Sequence, residues 1–461
     1  MISSRCAVRL IVVNRFRAVP KRTCKLGSAC VYFVKHTMLV KLFFCFFATF
    51  CIASQFAPEE NPYLRAVNEN YLAQNSIHDY VEVRPGAHLF YWFFYADGTK
   101  KDASRKPLII WVQGGPGFAA SGVGNFGEFG PLTMDMQPRN HTWVKGRNLL
   151  LIDHPVGAGF SYVTSKDLFV KTDQQMAIDL SRAIKQFFKK HKVFRKTPAY
   201  VIGQSYGGKL CPRLAVYLYT AIKKKSLKMN FKGIGIGGGW VNPKESTLVT
   251  PRFLYHTGAI DRDLYLSSSR IAHELISLMD KNDYIQAHEV DFMLFKKLNE
   301  DEFLNFNNIY GLSPYPALVK LNLYVNQYVK PTLKLVNQTI NWLYLNTDVY
   351  DSLKGSLLVP SFSFLEKILS KTNLKVVIYN GNFDVVTPLA GASNWVHKLN
   401  WPLKENFTKA VRHHIRGTNN GYYKEMEQLS FWSVFRAGHW VPEDNPEAME
   451  HILKYLLTEN N

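Results

Sequence analysis

Gly203-Gln204-Ser205-Tyr206-Gly207 sets a serine between two glycines, with a third at Gly208. A serine hydroxyl attacks a carbonyl carbon only when a base removes its proton and a third group orients that base. Small residues on both sides permit the sharp, strained strand-to-helix turn that lifts such a hydroxyl above a sheet edge. The partners are expected downstream, acid first and histidine second. Gly381-Asn382-Phe383-Asp384 follows an apolar run and offers Asp384, and Ala437-Gly438-His439-Trp440 offers His439 on a glycine-flanked loop. His413 and His414 fall in a basic stretch and read as solvated, and His451 reads as one face of a terminal helix. The chemistry implied is acyl transfer through a serine ester, whose oxyanion needs N–H donors aimed in advance. In Trp111-Val112-Gln113-Gly114-Gly115-Pro116-Gly117, Gly115 can bring its N–H close because it lacks a side chain, and the Tyr206 N–H would be the second donor. A phosphate-cradling loop competes for the same glycines, but Pro116 removes an N–H and no Gly-Lys-Ser/Thr follows.

These residues need a frame that brings distant loops to one edge. Short β-rich runs recur at 89–95, 108–112, 149–153, 199–203, 234–237 and 375–380, each followed by a glycine-rich or polar loop. Amphipathic stretches separate them, one over 173–190 and another leaving the serine motif over 210–225. Continuous apolar strands alternating with helices predict a mostly parallel sheet covered on both faces, with ligands bound beyond the carboxyl ends of its strands. Residues 245–345 are rich in Leu, Tyr and Asn and lack the strand–glycine punctuation. They read as a helical insertion between two parts of the sheet domain, 55–244 and 346–461. The alternative is further helices of one domain.

Charge does not point to nucleic acid. Of 56 Lys and Arg, nine lie in residues 1–53, which hold no Asp or Glu, so 47 basic residues face 36 acidic ones in the rest of the chain. No RNP, zinc-finger or leucine-zipper signature accompanies them. Lys41 precedes an apolar run, 42–52, whose 11 residues fall short of the about 20 that span a bilayer, and Ala53 and Ser54 follow it. That is the layout of a secretory signal peptide over 38–54 starting at Met38, with 1–37 an upstream extension. An arginine-rich, acid-free arm also fits a mitochondrial transit peptide. Five of six cysteines precede residue 54, so Cys211 alone remains beyond the leader and no intrachain disulfide is expected there. Asn140, Asn337 and Asn406 open N-x-Thr sequons that permit glycans in the secretory pathway.

With these motifs in hand the chain resembles the serine carboxypeptidases, most nearly their retinoid-inducible branch, over about residues 75–455. The resemblance rests on Trp111 to Gly117, Phe126 to Leu132, Asp153 to Tyr162, Gly203 to Gly208 and Ala437 to Pro442, in that order. It implies an α/β-hydrolase fold with a helical insertion and removal of single residues from peptide C-termini in an acidic compartment, secreted or lysosomal. It implies Ser205 as nucleophile, Asp384 as orienter, His439 as base, and Gly115 and Tyr206 as oxyanion donors. It also implies that the substrate's terminal carboxylate is held by Gln113, Glu128 and the residue before the nucleophile. That last position is usually Glu and here is Gln204. His154 stands where the family often has Gln or Asn, and the insertion is divergent.

Two other classes share this constellation. One is ester hydrolysis or acyl transfer on the same triad, and the other is a weakly active binding or protective protein. No cofactor or metal is expected, the partners are peptides or proteins with a free C-terminus, and oligomeric state is not readable. The leader reading carries its own test: N-terminal sequencing of the mature protein should find a start near residues 53–56. A start far from there would refute it.

Overall fold

The computed structural model describes Leu72 and residues 74–458, apart from 136, 301–303, 312–314, 335–336 and 418. The leader and the proposed start at Met38 therefore lie outside the described residues.

Alternation within the strands decides the architecture. In β3 (Leu108–Val112), Leu108, Ile110 and Val112 enter one apolar core while Ile109 and Trp111 enter another. β6 (Pro198–Gln204) and β8 (Lys375–Gly381) divide the same way, Val201 and Ile378 to the first core, Ile202 and Val377 to the second. Side chains of a strand alternate between faces, so a strand apolar at every position must be covered on both. The order across the sheet is β1-β2-β4-β3-β6-β7-β8-β11-β10-β9, with β5 (Tyr162–Val163) paired to β2. Here β1 is Ser76–Arg84, β2 Ala87–Phe94, β4 Asn148–Ile152, β7 Asn230–Gly237, β9 Arg412–His414, β10 Gly421–Met426 and β11 Leu429–Val434. The run from β4 through β11 in that order is parallel, and antiparallel pairs close both edges. This is an α/β-hydrolase sheet, mostly parallel and covered by helices, as expected from the strand pattern.

The amphipathic stretch at 173–190 is helix α1 (Asp173–Lys190), capped by Thr172, whose hydroxyl accepts from Gln175 N at 3.2 Å. Helix α2 (Tyr206–Lys223) begins four residues earlier than its apolar pattern predicted, immediately after Ser205. Its first turn contains Gly207 and Gly208, poor helix formers that close packing requires. Between β7 and β8 come α3 (Pro243–His256), α4 (Arg262–Asp280), α5 (Tyr284–Leu298) and α6 (Tyr315–Tyr324). Leu254, Leu275, Met279, Val290, Leu294 and Leu298 gather in a small third core, together with Leu358 and Val385. The wide π-helical turn over Ala120–Phe129, every residue of it buried, had no counterpart in the sequence reading. Asp153 holds that turn, accepting from Ser121 N at 2.8 Å, Ser121 Oγ at 2.7 Å and Phe160 N at 2.9 Å.

A buried ion pair ties α2 to its surroundings. Lys209 Nζ lies 2.9 Å from Asp173 Oδ2, donates to Leu357 O at 3.2 Å and to Ser356 O, and sits over the Tyr206 ring. The Tyr206 hydroxyl donates to the other oxygen of Asp173. Burial pushes the Lys209 pKa down while Asp173 pulls it up. Removing one partner leaves the other charge in a dry site, which costs about 3–5 kcal/mol, whereas replacing both together costs far less. Asp173→Asn should therefore lose about that much stability in urea titrations, and Asp173→Asn with Lys209→Met should recover most of it. Equal losses in the two variants would show that the pair is not what the fold relies on here.

Candidate active site

β3 and β6 pair in parallel with Val112 opposite Gly203, so the residues that follow, Gln113 and Gln204, lie side by side at the carboxyl ends of the two strands. Ser205 comes next, with φ +60° and ψ −125°, a conformation unfavourable for a residue with a side chain. The turn is held from both sides: Ser205 N donates to Gly237 O at 2.9 Å and Trp240 N donates to Ser205 O at 3.0 Å. Any side chain at Gly207 would run into the Val112 carbonyl, which is why that position must be glycine. Ser205 is left partly exposed between buried Gln204 and Tyr206, on the wall of a cavity of about 220 Å³.

The acid and the histidine arrive from neighbouring strands. β8 and β11 pair in parallel with Gly381 opposite Val434, and the loops that follow carry Asp384 and His439. His439 Nδ1 is 2.8 Å from Asp384 Oδ2. Asp384 is fully buried and further accepts from Thr387 N at 2.8 Å, Thr387 Oγ1 at 2.6 Å and Asn380 Nδ2 at 3.3 Å. A carboxylate at Nδ1 assigns the proton to that nitrogen and leaves Nε2 as the basic face. The backbone N–H of His439 donates to Asn307 O at 2.5 Å. Gly238, at φ +46°, lies beneath the pair: a Cβ there would approach His439 Nδ1 to 3.0 Å and Asp384 Oδ2 to 3.1 Å. Gly237 bonds Ser205 and Gly238 abuts His439, so two successive residues of one strand end adjoin both groups. No hydrogen bond joins Ser205 Oγ to His439, a looseness common in sites without substrate.

Gly115, at φ +115°, and Tyr206, the first residue of α2, also line the cavity. Neither N–H is engaged in a hydrogen bond, so both are free to meet an oxyanion beside Ser205.

Gln113, Glu128 and Gln204 form a buried cluster. Gln113 Oε1 accepts from Trp111 Nε1 at 2.6 Å, which turns its amide nitrogen toward Glu128 Oε1 at 3.3 Å. Gln204 Nε2 donates to the same oxygen at 3.0 Å. Glu128 Oε2 and Gln204 Oε1 have no partner. Burial pushes the Glu128 carboxyl up to about 8, against the pull of the two amides. His154 is buried as well, and burial pushes its pKa down to about 4, so its ring is neutral. Asn140, Asn337 and Asn406 are exposed, and Cys211 is a buried free thiol.

The sequence reading missed the groups that hold Asp384. Thr387, three residues on, closes an Asx-type turn that Asp-x-x-Thr spacing could have flagged. Asn380, the Asn307 carbonyl and Gly238 come from other elements and carry no local signal.

The family model for serine carboxypeptidases matches residues 67–459. Retinoid-inducible serine carboxypeptidase of Mus musculus is 32% identical over 410 residues, covering 82% of this chain and 90% of the relative. Serine carboxypeptidase-like 51 of Arabidopsis thaliana is 30% identical, covering 86% of this chain and 94% of the relative. Among solved structures, the prohormone-processing carboxypeptidase Kex1Δp of Saccharomyces cerevisiae superposes with a TM-score of 0.72 at 21% identity, covering 84% of this chain and 92% of that one, a likeness of fold. Matched by the family model along nearly all of its described length, the chain belongs to the serine carboxypeptidase family.

Proposed function

We propose that this protein releases single residues from peptide C-termini through a serine acyl-enzyme. Ser205 Oγ attacks the carbonyl of the last peptide bond while His439 Nε2 takes its proton, and the N–H groups of Gly115 and Tyr206 hold the oxyanion. Collapse passes that proton to the departing amine, and the C-terminal amino acid leaves. Water then enters by the same route, His439 acting again as base, and frees the shortened peptide. Asp384 keeps the imidazole in its Nδ1–H tautomer throughout.

The observation that carries this reading is the buried Gln113–Glu128–Gln204 cluster beside the nucleophile, since a hydrolase of internal bonds or plain esters has no use for it. With its carboxyl held near 8, Glu128 is protonated in acid and at neutral pH. Its unpartnered Oε2 can then donate to the substrate's carboxylate. The second N–H of Gln204 is a further donor whose charge does not change with pH. We further propose a cap formed by the helical segment 245–345, entry into the secretory pathway through residues 38–54, and glycans on Asn140, Asn337 and Asn406. Among the described residues no helix is long and apolar enough to cross a membrane.

A blocked dipeptide with a free C-terminus should be cleaved and its amidated twin should not. Ser205→Ala should lower the rate at least about 10³-fold. Equal cleavage of both peptides would sink the carboxylate reading, and turnover of simple esters alone would point to ester hydrolysis or acyl transfer. The cluster also sets a pH dependence. KM should stay level until Glu128 ionises near 8 and then rise, because an anion there repels the substrate carboxylate. In Gln204→Glu, two carboxyls share the site and one ionises at lower pH, so KM should begin to rise in acid. Identical KM–pH profiles for the two proteins would refute this.

A further inference from the structure

The cavity at Ser205 includes Gly115 and Tyr206 in its wall but none of Gln113, Glu128 or Gln204. It therefore lies on the acyl side of the scissile bond, where the penultimate residue of a C-terminal substrate places its side chain. This assignment rests on the proposed carboxypeptidase reaction. At about 220 Å³ it has room for one side chain rather than a larger ligand.

One wall is a stripe of helix α5: Asp291, Leu294, Phe295 and Leu298 all line the cavity. The spacing i, i+3, i+4, i+7 is that of a single helix face, and apolar residues are the rule on a face turned inward. Val385 and Leu357 add apolar surface to the wall, and Thr247, Thr250 and Asn307 add uncharged polar groups. Asp291 breaks the pattern. It is the only formally charged side chain among the described residues of the wall. The residue is half-buried, its carboxyl has no hydrogen bond and no ion pair in the described structure, and desolvation pushes its pKa up to about 7. An unpaired carboxylate in such a wall is costly unless a cation meets it, and a perturbed, unpartnered carboxyl in a cleft marks a functional position. Lys and Arg match this arrangement, because their methylene stems lie along apolar surface while the charged head reaches a carboxylate.

We infer that Asp291 makes this cavity a subsite for a basic side chain, so that peptides with Lys or Arg as the penultimate residue are preferred. The test compares N-blocked lysyl-phenylalanine with N-blocked norleucyl-phenylalanine, which has the same stem without the charge. The blocking group ensures that the side chain is the only cation. At about pH 8, where Asp291 is ionised, kcat/KM should favour lysine by about tenfold or more. Asp291→Asn should bring that ratio close to one, and Asp291→Glu should restore it. A wild-type ratio of one or less, or a ratio unchanged in Asp291→Asn, overturns the inference, and the first of these needs no variant to fold. If neither peptide is cleaved, the proposed reaction fails on its own account. Calorimetric Kd values of the two peptides for the wild-type protein then carry the same comparison, with the same outcomes.

Discussion

The backbone turn at Ser205 is the constraint on which the rest of the site depends. A residue at φ +60° between a buried strand and a buried helix persists only if its surroundings hold it there. Here they do so through Gly237 O and Trp240 N, and through the Val112 carbonyl packed against Gly207. The same contacts set the distance between β3 and β6 at their carboxyl ends. Gln113 and Gln204 thereby reach one glutamate, and Gly115 and Tyr206 present free N–H groups beside one hydroxyl. A wider turn, or a side chain at Gly207, would separate all of these at once. The buried Lys209–Asp173 pair secures the opposite side of the junction, fixing the first turn of α2 to α1 and to the carbonyls at 356–357.

Two buried carboxyls near this turn receive opposite treatment. Asp384 is surrounded by donors, from Thr387, Asn380 and His439, the arrangement wanted of the orienter it is proposed to be. Glu128 receives two amide donors on a single oxygen, while its other oxygen is buried without a partner, and desolvation prevails. It is suited to remain protonated and donate. Different surroundings for two like groups allow one fold to place an acceptor and a donor in the same site.

Much of this was legible in advance where the signal is local. The apolar runs that became β3, β4, β6, β7 and β8 are buried on both faces, so nothing in them conflicts with strand propensity. The helix at 173–190 has an unambiguous apolar face and a threonine cap. β1 and the strands β9 to β11 were not foreseen. β1, β9 and β10 carry tyrosines and charges and are half-exposed or, at Arg412 to His414, exposed, so pairing at the sheet's edges rather than alternation makes them strands; β11 is buried throughout, but its serines interrupt the apolar run. The turn over 120–129 has helical spacing in no register, because Asp153 and the neighbouring strand ends shape it.

Residue identity along the chain determined which groups could do chemistry. A serine among glycines, an acid and a histidine after apolar runs, and glycines after an early strand are each local requirements of backbone and side chain. Only the tertiary structure decided what those groups experience. Burial is a property of the neighbours, so the raised pKa of Glu128, the four-donor cradle of Asp384 and the unpaired carboxyl of Asp291 could not be read from their own segments. Asp291 in particular looks, in sequence, like any polar residue on an amphipathic helix; packing turned that face toward the nucleophile.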